Sequence, residues 1–294
     1  MKSVVLAAAC LLVLSGCERP LETQYRELGN LLSSTNRMRT DYDPTDAPVT
    51  RDMLVRDFET IALYYEHGTD DEGNDIGPVP TPLERWEQPV RVRLIFDHDA
   101  ERPEIEETMR WTRDFTARLT RLSGVPITVT GSGPEGLEPG DMIVLFYHDE
   151  SRAALADALR SSEDGSDNRV SIGIRDTPAE EICFFWPVAD DETHELKNVL
   201  MIMKSETRDL MRLSCIHEEL TQAMGLYNDD DDVRPSLFND DEEFALLTRH
   251  DALLLRMLYD PALTPGMSAE EVRPLLPAVA DRALAADAAA PYQP

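Results

Sequence analysis

The spacing of apolar residues predicts a series of helices and strands that begins near residue 50. Apolar positions from Met53 to Ala62 recur at helical spacing, and Thr50 stands where it can cap this helix. Alternating apolar residues predict a strand over residues 90–96. A long amphipathic pattern predicts a helix over residues 103–122, which Gly124 ends.

The same alternation continues through the second half of the chain. Strands are predicted at residues 127–130, 142–147, 170–174, 182–186 and 199–203, with a polar helix near residues 152–160. Residues 68–82 are rich in Gly, Asp and Pro and are predicted to be loop. The Ala-rich residues 277–294 predict a fraying helix or a tail. This order of elements favours the α/β (α+β) class.

The first residues form a short apolar run that resembles a bacterial lipoprotein signal. Lys2 gives a positive start, residues 4–14 are apolar, and the run closes with Leu-Ser-Gly before Cys17. A spanning helix needs about 20 apolar residues, so this run is too short to cross a membrane. The resemblance implies that residues 1–16 are removed and that Cys17 is acylated. The alternative is an ordinary secretory signal with an incidental cysteine.

Acylation would make the membrane a partner of this protein, through the lipid on Cys17. Glu18 stands where an aspartate often marks retention at the inner membrane. The expected location is therefore the outer membrane, facing the periplasm. Residues 17–49 are polar and are predicted to be a tether with a short helix.

The charge of the chain narrows the choice of partners. The 294 residues carry a net charge of −29, and 42% of them are hydrophobic, which suits a globular domain with a sizeable core. Nucleic acid is excluded as a partner, because binding it requires clustered Lys and Arg. The acidic body would also be repelled by anionic lipid headgroups. The charge favours solubility and, less directly, a cationic ligand.

The chain has four cysteines, and two of them lie in or next to the signal. Cys10 would be removed with the signal and Cys17 would be acylated, which leaves Cys183 and Cys215. Two cysteines in an oxidising compartment usually form a disulfide, so this pairing is predicted. The alternative is a pair of buried free thiols.

The most informative polar pattern lies in residues 215–229, a helix-like segment that runs into a turn at Gly225. At 100° per residue, one face of this helix is apolar and presents Leu213, Ile216, Leu220, Ala223 and Met224. The opposite face is polar and presents Cys215, Glu218, Glu219 and Gln222.

This segment resembles the active-site helix of metzincin zinc peptidases, which carry H-E-x-x-H-x-x-G-x-x-H. When the glycine turns are aligned, Glu219 stands at the position of the catalytic glutamate. The three histidine positions are taken by Glu218, Gln222 and Asn228. The resemblance thus implies a catalytic candidate and three pseudo-ligand positions.

Later residues extend the resemblance. Residues 234–240 are similar to a metzincin Met-turn, with Ser236 in the turn and Phe238 at the methionine position. Residues 247–259 are similar to the closing helix of that family. The resemblance implies one domain over residues 50–276, with a mixed twisted sheet, a long backing helix, an active-site-type helix and a C-terminal helical subdomain.

A closer resemblance is to a family of proteobacterial lipoproteins that contain a domain of unknown function. The shared pattern is a cysteine, a Glu-Glu pair, a glutamine, a glycine turn and Asn-Asp, here Cys215, Glu218-Glu219, Gln222, Met224-Gly-Leu226 and Asn228-Asp229. It continues through Ser236-Leu-Phe-Asn-Asp240, Leu247-Thr248, His250-Asp251, Leu258-Tyr-Asp-Pro261 and Pro265-Gly-Met267. This family implies no activity.

The candidate donors are poorly suited to zinc. Zinc is held by imidazole, thiolate or carboxylate groups, whereas Gln222 and Asn228 offer neutral amide oxygens. His217 has no second histidine at the required spacing, because residue 221 is threonine, and a partly exposed helix position is expected for it. No resident metal is therefore predicted, with zinc as the less favoured alternative.

Calcium is the other metal considered. Acidic residues 229–232 and 240–243 could collect calcium, but their spacing matches no defined calcium loop. A solvated acidic turn is expected there instead.

Two functions follow from this reading. The favoured one is a lipid-anchored binding or scaffold protein, built on an inactive peptidase-like domain that holds a peptide, a glycan or another envelope protein. In it, Glu218, Glu219 and Gln222 form a polar helix face. The alternative is a metal-dependent peptidase or other hydrolase in which Glu219 is the general base.

Overall fold

The computed structural model describes residues 19–69, 75–131, 137–161, 174–175, 177–178, 181–239 and 242–292. Its helices are α1 Leu21–Ser34, α2 Arg51–Ala62, α3 Arg102–Ser123, α4 Asp149–Ser161, α5 Asp209–Gln222, α6 Arg249–Leu258, α7 Ala269–Val272 and α8 Leu276–Ala289. Its strands are β1 Tyr64–Thr69, β2 Asp75–Pro80, β3 Val90–Phe96, β4 Ile127–Gly131, β5 Asp141–Tyr147, β6 Cys183–Ala189 and β7 Leu196–Lys204.

Five of the strands form a mixed sheet in the order β4-β3-β5-β7-β6. The first four are parallel, and β6 runs antiparallel to β7 at the end of the sheet. Strands β1 and β2 form a separate antiparallel hairpin. The predicted α+β class is therefore confirmed.

Helices cover both faces of the sheet. The larger core joins inward residues of β3, β5 and β7 to α3, α5 and α6, with Phe146 and Phe115 among the buried rings. The smaller cluster lies on the other face, where Ala156 of α4 packs with Leu145 and Ile202. This burial on both faces explains why β5 is apolar almost throughout, as parallel strands usually are.

Several predicted elements are confirmed with their ends. Thr50 caps α2 by accepting a hydrogen bond from the Met53 backbone nitrogen at 3.3 Å. Helix α3 ends at Gly124, whose φ of 78° lies in the left-handed region. The strand predicted at residues 170–174 falls mostly outside the described residues. Ile174 itself is described and is helical, so a strand ending there is wrong.

The loop predicted over residues 68–82 is wrong in part, because β1 and β2 pair there. Two of the three glycines that suggested loop face each other across the hairpin, Gly68 opposite Gly77. A Cβ at Gly68 would overlap the side chain of Val79. The absence of a side chain at Gly68 therefore permits the two strands to pair closely.

The stretch predicted as a tether is packed against the domain over much of its length. Tyr25 of α1 and Met38 are buried in a cluster with Met211 and Ala245. The backbone of Arg39 accepts a hydrogen bond from Ala245 at 2.8 Å. Leu21, Tyr25, Leu28 and Leu32 recur at helical spacing in α1, and their apolar side, with Met38, attaches the stretch to the domain.

Within the C-terminal stretch predicted as a fraying helix or tail, residues 277–289 belong to α8, which packs on α2 and α6. Its buried positions include Leu276, Val279, Ala280 and Ala283. Small alanine side chains allow this close packing between helices. None of the helices in the described part of the chain is both long and apolar enough to cross a bilayer.

Candidate functional site

Helix α5 forms the floor of the main cavity, and a disulfide fixes it to the sheet. Cys215 of α5 is bonded to Cys183 at the start of β6, so the predicted pairing is confirmed. The helix presents Ser214, Cys215, Glu218, Glu219 and Gln222 to the cavity. This is the polar face that the 100° spacing predicts.

The turn after α5 is held by buried hydrogen bonds. Trp86 donates its indole N–H to the Ala223 carbonyl at 2.8 Å, and the Tyr259 hydroxyl donates to the Met224 carbonyl at 2.9 Å. Gly225 follows with a φ of 113°. A Cβ at Gly225 would overlap the carbonyl oxygen of Glu84, so only glycine fits this approach.

The cavity has a volume of about 550 Å³ and lies between α5, β1, β6 and α1. Its apolar lining includes Leu28, Leu32, Met38, Ile182, Phe185 and Met211. Its size falls within the usual range for small-molecule sites, about 300–1,000 Å³.

Six carboxylates line the cavity, at Glu66, Glu181, Glu218, Glu219, Asp229 and Glu242. Glu219 lies deepest, Glu218 and Asp229 are half-buried, and Glu181 and Glu242 are exposed at the rim. Among the described residues that line the cavity there is neither lysine nor arginine. His67 is the one basic side chain there, and 61% of its side chain is exposed.

Glu219 is the least compensated acid of the site. It is 3% exposed, and its Oε2 atom is buried without a hydrogen-bond partner. Burial, reinforced by the nearby carboxylates, raises the pKa of Glu219 well above its ordinary value. Burial and neighbouring acids raise the pKa of Glu218 in the same way.

The structure brings together only part of the predicted ligand set. Gln222 lies beside Glu218 on α5 and donates its amide to Asp229 Oδ1 at 3.0 Å. Asn228 is turned away, because its side chain donates to the Thr60 carbonyl at 3.1 Å. Asn228 does not line the cavity.

This geometry does not fit zinc. Within the described residues, the three pseudo-ligand positions do not converge, and only Glu218 carries a group that zinc prefers. The amide of Gln222 is already engaged by Asp229.

The described part of the predicted Met-turn, residues 234–239, is held by buried hydrogen bonds and core packing. Ser236 donates its hydroxyl to Asp251 Oδ1 at 2.6 Å and accepts from the Phe238 backbone nitrogen at 2.9 Å. Phe238 is fully buried in the main core. Its carbonyl accepts from the Asp230 nitrogen at 3.0 Å, which places the segment beside the turn that follows α5.

His217 is buried, so the expectation of a partly exposed helix position is wrong. Its ring stacks on Phe115 with centroids 3.9 Å apart, and its Nδ1 accepts from the Leu247 backbone nitrogen. Burial, with Arg118 nearby, lowers the pKa of His217 to about 3. The ring is therefore neutral and packs in the core.

The hairpin supplies residues that the sequence did not single out. Tyr65 of β1 and Tyr227 both donate their hydroxyls to the Glu84 carboxylate, at 2.8 and 3.0 Å. The two rings lie 5.2 Å apart, and Phe185 of β6 stacks next to Tyr227. These aromatic residues come from three distant segments, so no local pattern in the sequence could link them.

A second polar group lies where the strand order reverses, between the carboxyl ends of β3 and β5. Ligand atoms of Asp97, Asp99 and His148 lie within 4.8 Å of one another. Asp97 already accepts hydrogen bonds from the backbone nitrogens of His98 and His148. Strand ends at such a reversal often form binding crevices, but no sequence motif marks this one.

The residues considered for calcium are divided among different roles. Asp229 faces the cavity and accepts from Gln222, whereas Asp230 accepts from the Asp232 nitrogen at 2.8 Å. Glu243 pairs with Arg234. Residues 240 and 241, like the acylation candidate Cys17, lie outside the described residues.

The chain matches a known protein family over most of its length. Residues 51–278 match a family described as "Protein of unknown function (DUF2927)". No curated protein matches the chain.

Proposed function

This chain belongs to the DUF2927 family, and we propose that it is a lipid-anchored binding protein of the proteobacterial cell envelope. In this proposal the domain keeps the framework of a metzincin peptidase without its metal chemistry. The ligand is a peptide, a glycan or a segment of another envelope protein. The observation that carries the proposal is the buried carboxylate of Glu219, which lines the cavity with one oxygen unpartnered.

The arrangement around α5 supports the peptidase-like framework. The helix ends in a glycine bend at Gly225, and the segment containing Phe238 lies beside the turn that follows. Helix α3 packs behind α5, and β6 borders the cavity as the antiparallel strand at the end of the sheet. The same elements in the same order motivate the resemblance at the level of sequence.

The polar groups of the cavity support binding over hydrolysis. A general base in a metal-dependent hydrolase acts on a water that the metal activates. Here the groups at the metal positions diverge, with Asn228 hydrogen bonded to α2. Glu219 without a metal is better suited to hold a ligand group than to activate water.

Metal analysis tests the binding role against the hydrolase. A variant that spans residues 17–294 and carries Cys17→Ala is purified without lipid and dialysed, and its metal content is measured. We expect no transition metal in stoichiometric amount. Zinc retained at one equivalent, and lost in Glu218→Ala, would establish a metal site and overturn the proposal.

Photo-crosslinking in intact cells tests whether the cavity is occupied. A photoreactive phenylalanine derivative is placed at Leu32, which lines the cavity, or at Leu137, which is 58% exposed and outside it. We expect a light-dependent adduct from position 32 and none from position 137. Adducts of equal yield at both positions, or at neither, would contradict a binding cavity.

The lipid anchor is proposed from the Leu-Ser-Gly-Cys17 sequence. Growth with a clickable palmitate analogue should label the wild-type protein in the membrane fraction. Cys17→Ala should abolish the label and leave precursor of higher mass. A wild-type protein that is released from membranes by salt alone would rule the anchor out.

A further inference from the structure

The proposed binding role leaves open the chemistry of the ligand, and the charges of the cavity narrow it. Resting on that role, we propose that the cavity receives an organic cation: an ammonium or guanidinium group carried on an apolar chain. A lysine or arginine side chain of a peptide and a free polyamine both have this chemistry.

The charge balance of the cavity differs from that of the surrounding protein. Elsewhere, arginines neutralise buried or clustered acids, as Arg212 does for Glu104 at 2.6 Å and Arg39 does for Asp46 at 2.8 Å. Among the described lining residues of the cavity, six carboxylates occur with no lysine or arginine. A cation supplied by a ligand would place a positive charge directly beside these acids.

The positive group of the ligand would lie beside the Glu219 carboxylate. Its Oε2 atom is buried and has no hydrogen-bond partner, although a buried acceptor is normally satisfied. Gln222, another buried polar side chain of the floor, is already engaged with Asp229. An N–H donor of a ligand would satisfy Glu219 without breaking an existing bond.

The geometry favours an organic cation over a metal ion. A metal needs several ligand atoms within a few ångströms of one another. Among the described residues, Asp97, Asp99 and His148 meet this condition, whereas the carboxylates of the cavity do not.

The other walls of the cavity are apolar and aromatic, and they suit the apolar chain of such a ligand. Leu32, Met38 and Met211 offer an apolar surface for an alkyl chain. Tyr65 and Tyr227 lie together at one side, and aromatic faces attract cations. The site therefore combines an acidic floor with an apolar and aromatic wall.

Calorimetric titration of the lipid-free Cys17→Ala protein, residues 17–294, tests this inference. The probes are cadaverine, N-acetyl-lysine methylamide, its neutral analogue N-acetyl-norleucine methylamide, and calcium chloride. We expect at least one of the two amines to bind and the norleucine compound to bind about 10- to 100-fold more weakly, as for the loss of one charged hydrogen bond. Which amine binds more tightly distinguishes a free amine from a peptide side chain.

Matched variants assign the binding to the cavity. Glu219→Gln keeps the size of the side chain and removes its charge, and should weaken amine binding by about 10- to 100-fold. Asp114→Asn removes the same charge from an exposed position on α3 and should leave binding unchanged. A melting curve of each variant confirms that it is folded.

The outcomes separate this inference from the binding role itself. Equal binding of the lysine and norleucine compounds would overturn the cationic ligand and leave the binding role intact. Calcium binding that excludes the amines would replace the organic cation with a metal. If no probe binds, the cationic ligand is wrong, and the crosslinking at position 32 then decides whether the binding role survives.

Discussion

Glu219 makes the folded protein sensitive to pH in the direction opposite to that of a salt-bridged acid. A carboxyl whose pKa is raised on folding holds its proton more tightly in the folded state than in the unfolded chain. The free energy of unfolding therefore falls as pH rises from the ordinary pKa of glutamate through the raised pKa values of Glu218 and Glu219. The charged groups that surround this pair are Glu66, His67, Glu181, Asp229 and Glu242.

The first prediction is that Glu219→Gln stabilises the unliganded protein. The amide cannot ionise, so the variant avoids the cost of a buried charge among other acids. We expect the melting temperature to exceed that of the wild type at about pH 8, by about 2–4 °C for each kcal/mol recovered. The difference should shrink as the pH is lowered to about 4, where the wild-type carboxyl is protonated in both states.

Differential scanning fluorimetry across this pH range is the measurement. Asp114→Asn is again the control, because Asp114 is exposed. A variant that melts below the wild type at high pH would show that the Glu219 carboxylate is satisfied in the native state.

At the residue scale, helical spacing correctly predicts which residues of α5 face the cavity, but the alignment does not predict the direction of Asn228. Glu218, Glu219 and Gln222 share a face because the helix repeat places them there. Asn228 lies beyond Gly225, where the chain leaves the helix and the side chain reaches the Thr60 carbonyl. Helical spacing cannot predict where a side chain points once the chain has left the helix at such a bend.

At the scale of elements, the turn after α5 depends on glycine. Gly225 combines a positive φ with a close approach to the Glu84 backbone, whereas Gly124 at the end of α3 has a positive φ and open space around it. Substitution at Gly124 would therefore add only the cost of a positive φ, whereas substitution at Gly225 would add steric overlap as well.

The second prediction compares alanine at these two positions. Gly124→Ala should lower the free energy of unfolding by about 1–2 kcal/mol, because it places one residue in the left-handed region. Gly225→Ala should lower it by about 3 kcal/mol or more, because backbone must also move. Urea denaturation measures both, and equal losses would refute the close approach at Gly225.

The third prediction concerns the bond between α5 and β6. The double variant Cys183→Ser, Cys215→Ser should lose about 3–4 kcal/mol of unfolding free energy, as the chain-entropy model gives for a loop of this length. A reducing agent should lower the stability of the wild type and leave that of the double variant unchanged. Wild-type melting that does not respond to complete reduction would contradict a stabilising bond.

Periodicity predicts the longer elements well, because helices and strands of the core must each bury one face. The hairpin of β1 and β2 is missed, since Gly68 and Gly77 look like loop signals and only their mutual pairing reveals a strand. Elements whose apolar residues do not alternate regularly are recognised only through their tertiary contacts.

At the scale of the whole molecule, the N-terminal stretch is part of the folded unit. Met38 and Tyr25 pack against α5 and the segment around Ala245, and Arg39 forms ion pairs with Asp46 and Glu243. Leu28 and Leu32 of α1 complete the cavity wall.

The fourth prediction is that a variant beginning at Thr50 is destabilised, although the family match begins one residue later. Removing two large buried side chains, Tyr25 and Met38, costs about 3–6 kcal/mol at about 1.5–3 kcal/mol each. A variant beginning at Arg19 keeps these contacts and should unfold like a chain that begins at residue 17. Equal stability of the two variants in urea would show that this stretch adds nothing to the fold.

The fold class can be predicted from the sequence because it depends on the order of helices and strands. The spacing of apolar residues indicates that order. The cavity does not, because its walls come from α1, β1 and β6, which are far apart along the chain. Their meeting depends on tertiary packing that no local pattern describes.

The bond between Cys183 and Cys215 also bears on when the protein matures. Its formation removes two electrons, which a thiol-rich environment would return. A newly synthesised chain therefore completes the junction between the edge strand and the cavity floor only after it meets an oxidant. In the presence of reducing thiols, the edge strand and the cavity floor would lack this covalent bond.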